Sequence, residues 1–85
     1  MPDKILVIED EPDIRKTLEY NLAREGFIVS TAGSLKKAKN ILENPNFSLI
    51  LLDLMLPDGS GLDLCRELKS NSSLKEIPII ILTAK

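Results

Sequence analysis

The chain has 85 residues, 44% of them apolar, and a formal net charge of −2; this suffices for one small core and leaves no basic excess to draw nucleic acid or a membrane surface. It has no histidine and one cysteine, Cys65, which excludes an internal disulfide, Ser–His or Cys–His catalysis, a phosphohistidine donor and thiolate metal sites. No apolar run reaches transmembrane length and Met1-Pro2-Asp3-Lys4 is no signal peptide, so a cytoplasmic chain without membrane contact is expected. Residues 4–10 open with Ile5-Leu6-Val7-Ile8, apolar without alternation, which predicts a strand covered on both faces. Pro12 starts a helix, with acids on both sides favouring its N-terminus; Ile14, Leu18 and Leu22 form its inner stripe and Gly26 ends it after about Glu25.

A second strand, Phe27 to Ala32, turns polar early and suits a sheet edge. Gly33-Ser34 begins a second helix with Leu35, Ala38, Ile41 and Leu42 inward, ended by Asn44-Pro45-Asn46. The third strand, about 47–53, closes on Asp53 and opens into a Pro/Gly loop, Leu54 to Gly61. Ser60 and Asp63 have capping-box spacing and start a third helix with Leu62, Cys65 and Leu68 inward. After the loop Ser70 to Ser73, Ile77-Pro78-Ile79-Ile80-Ile81-Leu82 is a fourth strand. Strands alternating with helices predict an α/β chain, βαβαβαβ, with a doubly wound parallel sheet and helices on both faces. So apolar a fourth strand belongs inside a sheet. The chain is therefore expected to be a piece of a longer domain, or to be completed by another chain.

In such a sheet the first and third strands are neighbours, and chemistry gathers at their carboxyl ends. Glu9, Asp10 and Asp53 then share one rim, with Thr83 at the corresponding end of the fourth strand. Two carboxylates about 4 Å apart repel by roughly 4 kcal/mol at an effective dielectric near 20. A cation offsets this, and hard oxygen ligands suit Mg2+.

At these residues the chain resembles the receiver domain of two-component response regulators. The pieces that match are Ile8-Glu9-Asp10-Glu11, Leu51 to Pro57 with Gly61, and Ile81-Leu82-Thr83-Ala84; the likeness spans about residues 3–85. The wording Met55-Leu56-Pro57-Asp58-Gly59 is similar to receivers fused to winged-helix DNA-binding domains. The resemblance implies a flavodoxin-like sheet of order 2-1-3-4, and a phosphoacceptor, Asp53, that takes its phosphoryl group from a sensor histidine kinase. It implies a Mg2+ site of Glu9, Asp10, Asp53 and the Met55 carbonyl, a phosphoryl hydrogen bond from Thr83, and loop-shaping roles for Pro57 and Gly61. The parent would be a transcriptional regulator that meets DNA through a separate output domain. The family continues with a helix, a strand and a helix that supply a lysine; Lys85, two residues after Thr83, is not that lysine. The 85 residues alone are therefore expected to accept phosphate poorly, acting as a signalling domain rather than an enzyme.

Plainer roles suit other residues. Glu11 and Asp13 read as helix N-terminal charge, Cys65 as a buried small hydrophobe, Tyr20 and both phenylalanines as packing, and Lys36, Lys37 and Lys39 as a solvated face. A structural fragment that pairs with itself or a complementing half through the fourth strand is the alternative. A phosphatase of the haloacid dehalogenase type ranks far below, because Met55 stands where that chemistry needs a second aspartate.

Overall fold

The computed structural model describes residues 3–82. The chain forms β1 (Lys4–Ile8), α1 (Pro12–Arg24), β2 (Ile28–Ala32), α2 (Leu35–Ile41), β3 (Leu49–Asp53), β4 (Met55–Leu56), β5 (Gly59–Ser60), α3 (Gly61–Ser70) and β6 (Ile79–Leu82). The main sheet is parallel with order β2-β1-β3-β6, which is the expected 2-1-3-4. β4 and β5 pair antiparallel in a small separate hairpin where the sequence predicts only a loop. Strands of two residues carry no hydrophobic period, so the pattern could not show them.

Each strand of the main sheet is shorter than the segment the sequence predicts. Phe47 and Ile77 are buried yet precede their strands, because they fill the core from the entering loops. Alternation divides the rest between two faces. Leu6, Ile8, Ile50 and Leu52 face α2 and α3. Ile5, Val7 and Leu51 face α1, where Leu18 and Leu22 cover them.

The helices begin where the capping chemistry puts them. Pro12 is the first residue of α1 and Glu11 its N-cap, and Gly26 after the helix takes φ +95°, a conformation that favours glycine. The Ser34 hydroxyl caps α2 by accepting from the Lys37 N–H at 3.2 Å. Ser60 caps α3, but its hydroxyl accepts from Leu62 N–H at 3.2 Å, and Asp63 instead accepts from Arg66 at 3.3 Å. The expected capping box with Asp63 is thus replaced by a simple cap and an i,i+3 ion pair.

Several expected core positions move. Leu62 is 49% exposed, while Leu64, Leu68 and the helix's first residue, Gly61, face inward; Gly61 is pressed against β3, which fixes this phase. Cys65 is only partly buried, against the edge of the core. Ile14 is 37% exposed and α1 has no fully buried residue, because α1 is the one helix over its face among the described residues. Tyr20 is exposed, with the Arg24 guanidinium 5.6 Å from its ring centre, so it does not pack inside. Phe27 and Phe47 do. Lys36, Lys37 and Lys39 are exposed as expected, with Lys39 paired to Glu67 of α3 at 3.3 Å.

Candidate metal centre

The register places the acids. Ile8 pairs with Leu52, so Glu9, the residue after β1, comes level with Asp53 at the end of β3. The Glu9 N–H still bonds to the Ala32 carbonyl at 3.0 Å, which carries the ladder one residue beyond β1. Carboxylate oxygens of Glu9, Asp10 and Asp53 all lie within 4.8 Å of one another. Glu9 is 2% exposed and Asp53 1%, with Asp10 half-buried. Thr83 and Lys85 lie outside the described residues.

Backbone on either side holds this cluster in place. Glu9 Oε2 accepts from the Glu11 N–H at 3.1 Å, which turns the chain back over the site. The Arg15 guanidinium, one turn into α1, donates to the Glu9 carbonyl at 2.8 Å and the Asp10 carbonyl at 3.3 Å. A Cβ at Gly33 would lie 2.8 Å from Arg15 Nη1, so a side chain there would push the guanidinium aside. Opposite, Asp53 Oδ1 accepts from the Met55 N–H at 3.1 Å. Gly61 is the closest fit: a Cβ there would lie 2.5 Å from the Asp53 carbonyl oxygen and 2.9 Å from Leu54 Cα. These are backbone atoms that cannot swing away, so α3 can start against β3 only with glycine at that position.

The hairpin between β4 and β5 is seated on α2. Asp58 Oδ1 accepts from the Leu35 N–H at 2.8 Å and Oδ2 from the Lys36 N–H at 3.0 Å. These two backbone bonds hold its carboxyl below the ordinary value of 3.8. Arg15 and Asp58 were not singled out from the sequence. For Asp58 a signal existed, since Pro57-Asp58-Gly59 between apolar residues is turn chemistry. For Arg15 there was none, because a lone arginine on a helix reads as solvated charge.

Chemically the cluster offers carboxylate oxygens alone, with no imidazole in the chain and Cys65 not part of it. Like charges held this close repel by roughly 3–4 kcal/mol per pair at an effective dielectric near 20. A hard divalent cation fits such a donor set and takes one or two protein carboxylates with the rest of its shell open.

The family model of the response regulator receiver domain matches residues 5–85. The phosphate regulon transcriptional regulatory protein PhoB of Escherichia coli is 42% identical over 85 residues, all of this chain and 37% of PhoB. The chemotaxis response regulator CheY4 of Vibrio cholerae superposes with a TM-score of 0.94 at 26% identity, over all of this chain and 71% of that one. A response regulator protein of Burkholderia pseudomallei, solved with a phosphorylated aspartic acid, a calcium ion and citrate, is 31% identical with a TM-score of 0.86, over 95% of this chain and 46% of that one. The chain thus spans little more than a third of the length of the curated relatives it matches.

Proposed function

The chain belongs to the response regulator receiver family, and from that premise we propose that Asp53 accepts a phosphoryl group from a phosphohistidine of a sensor histidine kinase. A carboxylate oxygen of Asp53 attacks phosphorus, the P–N bond breaks with its electron pair going to the imidazole nitrogen, and an acyl phosphate forms. The observation that carries this is the buried Asp53 carboxylate within 4.8 Å of those of Glu9 and Asp10. The related Burkholderia protein with its phosphorylated aspartic acid and calcium ion supports it.

Glu9, Asp10, Asp53 and the Met55 carbonyl would hold Mg2+. When bound, the ion neutralises charge on the transferring phosphoryl group. The chain's own part is positioning. The Met55 N–H orients the nucleophile, Arg15 steadies the turn that carries Glu9 and Asp10, and Gly61 lets α3 close over the loop. Thr83 would hydrogen-bond the phosphoryl group. A PhoB-like parent would act on transcription in the cytoplasm, with DNA contacted by an output domain and not by these residues. The family's lysine, carried by the helix-strand-helix segment that follows in family members, would make the parent a faster acceptor than residues 1–85 alone.

Incubation with a small phosphodonor and Mg2+, followed by intact mass, tests this. A one-phosphoryl gain that Asp53→Asn abolishes is expected; a gain that survives Asp53→Asn overturns it. The exposed Ile80 and Ile81 on β6 (52% and 42%) favour a second property, self-association through that strand.

A further inference from the structure

We propose that Asp58 is a positioning residue for the metal-binding loop: by tying the β4–β5 hairpin to the start of α2 it keeps the Met55 carbonyl and the Asp53 carboxylate where Mg2+ would take them. This rests on the reading of Glu9, Asp10 and Asp53 as metal ligands. Both oxygens of Asp58 are engaged, by the consecutive amides of Leu35 at 2.8 Å and Lys36 at 3.0 Å. Two donors on one carboxylate fix its plane as well as its place. The partners lie 23 and 22 residues away in sequence, so these bonds join two elements and do not close a local turn.

Two different segments cap α2: the Ser34 hydroxyl accepts from the Lys37 N–H at 3.2 Å, and Asp58 serves the two amides before it from the distant hairpin. The hairpin also lies against Leu35, since a Cβ on Gly59 would come 2.6 Å from Leu35 Cδ1 and turn that side chain aside. From this anchor the path to the site is short. Leu56 pairs with Gly59 and Met55 with Ser60, Leu56 is buried in the main core, and the Met55 N–H reaches Asp53 Oδ1 at 3.1 Å. A shift of the hairpin tip therefore moves the Met55 peptide, and with it the carbonyl offered to the metal and the bond that orients the acceptor.

Calorimetric Mg2+ titration of the wild-type chain and its Asp58→Ala, Asp58→Asn, Ser34→Ala and Asp53→Asn variants tests this. Groups bonded directly to metal ligands change affinity by about 10–100-fold, and Asp58 acts one step further out, at the lower end of that range. Asp58→Ala is expected to weaken Mg2+ binding by about tenfold, and Asp58→Asn, which keeps one acceptor oxygen, by less. Ser34→Ala takes a cap from the same helix and lowers Tm, yet leaves Mg2+ affinity unchanged. In the metal-free protein, exchange of the Met55 amide quickens in Asp58→Ala and not in Ser34→Ala. Wild-type affinity in Asp58→Ala, or equal weakening in Ser34→Ala, overturns the inference. If Asp58→Ala does not fold, the comparison of Asp58→Asn with Ser34→Ala decides in the same way. Should wild type and Asp53→Asn bind Mg2+ equally or not at all, the metal-site reading falls and takes this inference with it. Binding that Asp53→Asn weakens and neither Asp58 variant changes removes the inference alone.

Discussion

Asp58 shows how one exposed side chain gains a role from what it touches. Its two backbone hydrogen bonds favour the charged form and hold its carboxyl below 3.8 in the folded chain. A carboxylate with a depressed folded pKa adds stability above its unfolded pKa and loses it as pH falls through the folded value, since the unfolded chain binds the proton first. Comparing wild type with Asp58→Asn isolates this one carboxyl. The gap in urea midpoint between wild type and Asp58→Asn is therefore expected to be level over roughly pH 5 to 7 and to shrink as pH drops below about 3.8. A gap that holds its size through the acid range would contradict the hydrogen-bonded geometry. Gly61 acts at the same scale but through space: its missing side chain lets α3 meet the end of β3, and charge plays no part.

At the scale of elements, α3 separates what periodicity can show from what it cannot. Its leucines fit more than one helical face on paper; the close approach at Gly61 selects the face of Leu64 and Leu68 and turns Leu62 to solvent. Leu64 is 2% exposed and Leu62 49%. Leu64→Ala is expected to cost about 2–5 kcal/mol, a fall in Tm on the order of 10 °C or more, whereas Leu62→Ala stays within about 0.5 kcal/mol of wild type. Thermal unfolding followed by circular dichroism separates them; a Leu62→Ala loss as large as that of Leu64→Ala would mean the phase is wrong. Strand order, the cover on both faces of β1 and the meeting of Glu9, Asp10 and Asp53 were legible, because unbroken apolar runs ending in acids leave a parallel sheet few arrangements. The β4–β5 hairpin, the Arg15 clamp and the Asp58 anchor were not. Two-residue strands carry no hydrophobic period, a lone helical arginine reads as solvated charge, and the turn signal at Pro57-Asp58-Gly59 does not name partners 22 and 23 residues away.

Taken whole, the sheet is asymmetric at its edges. β1 and β3 lie inside, and β2 on one flank carries Ser30 and Thr31. β6 on the other flank is Ile79-Ile80-Ile81-Leu82, bonded to β3 on one side among the described residues. Its alternate residues point to opposite faces, and both faces show apolar surface: Ile80 is 52% exposed and Ile81 42%. An edge of this kind, without charge or proline inside the strand, offers its open amides and carbonyls to another chain. The α1 side adds Ile14, 37% exposed, which leaves that face of the sheet thinly covered. The 85-residue chain is accordingly expected to form dimers or larger species whose mass rises with concentration in multi-angle light scattering. Ile80→Lys sets a charge on the edge, which blocks strand addition, and is expected to return the chain to a monomer with its helical circular dichroism intact. A wild-type chain that stays monomeric at every concentration would show that this edge is covered in solution, and the self-associating reading would fall while the acid cluster at the carboxyl ends of β1 and β3 stands.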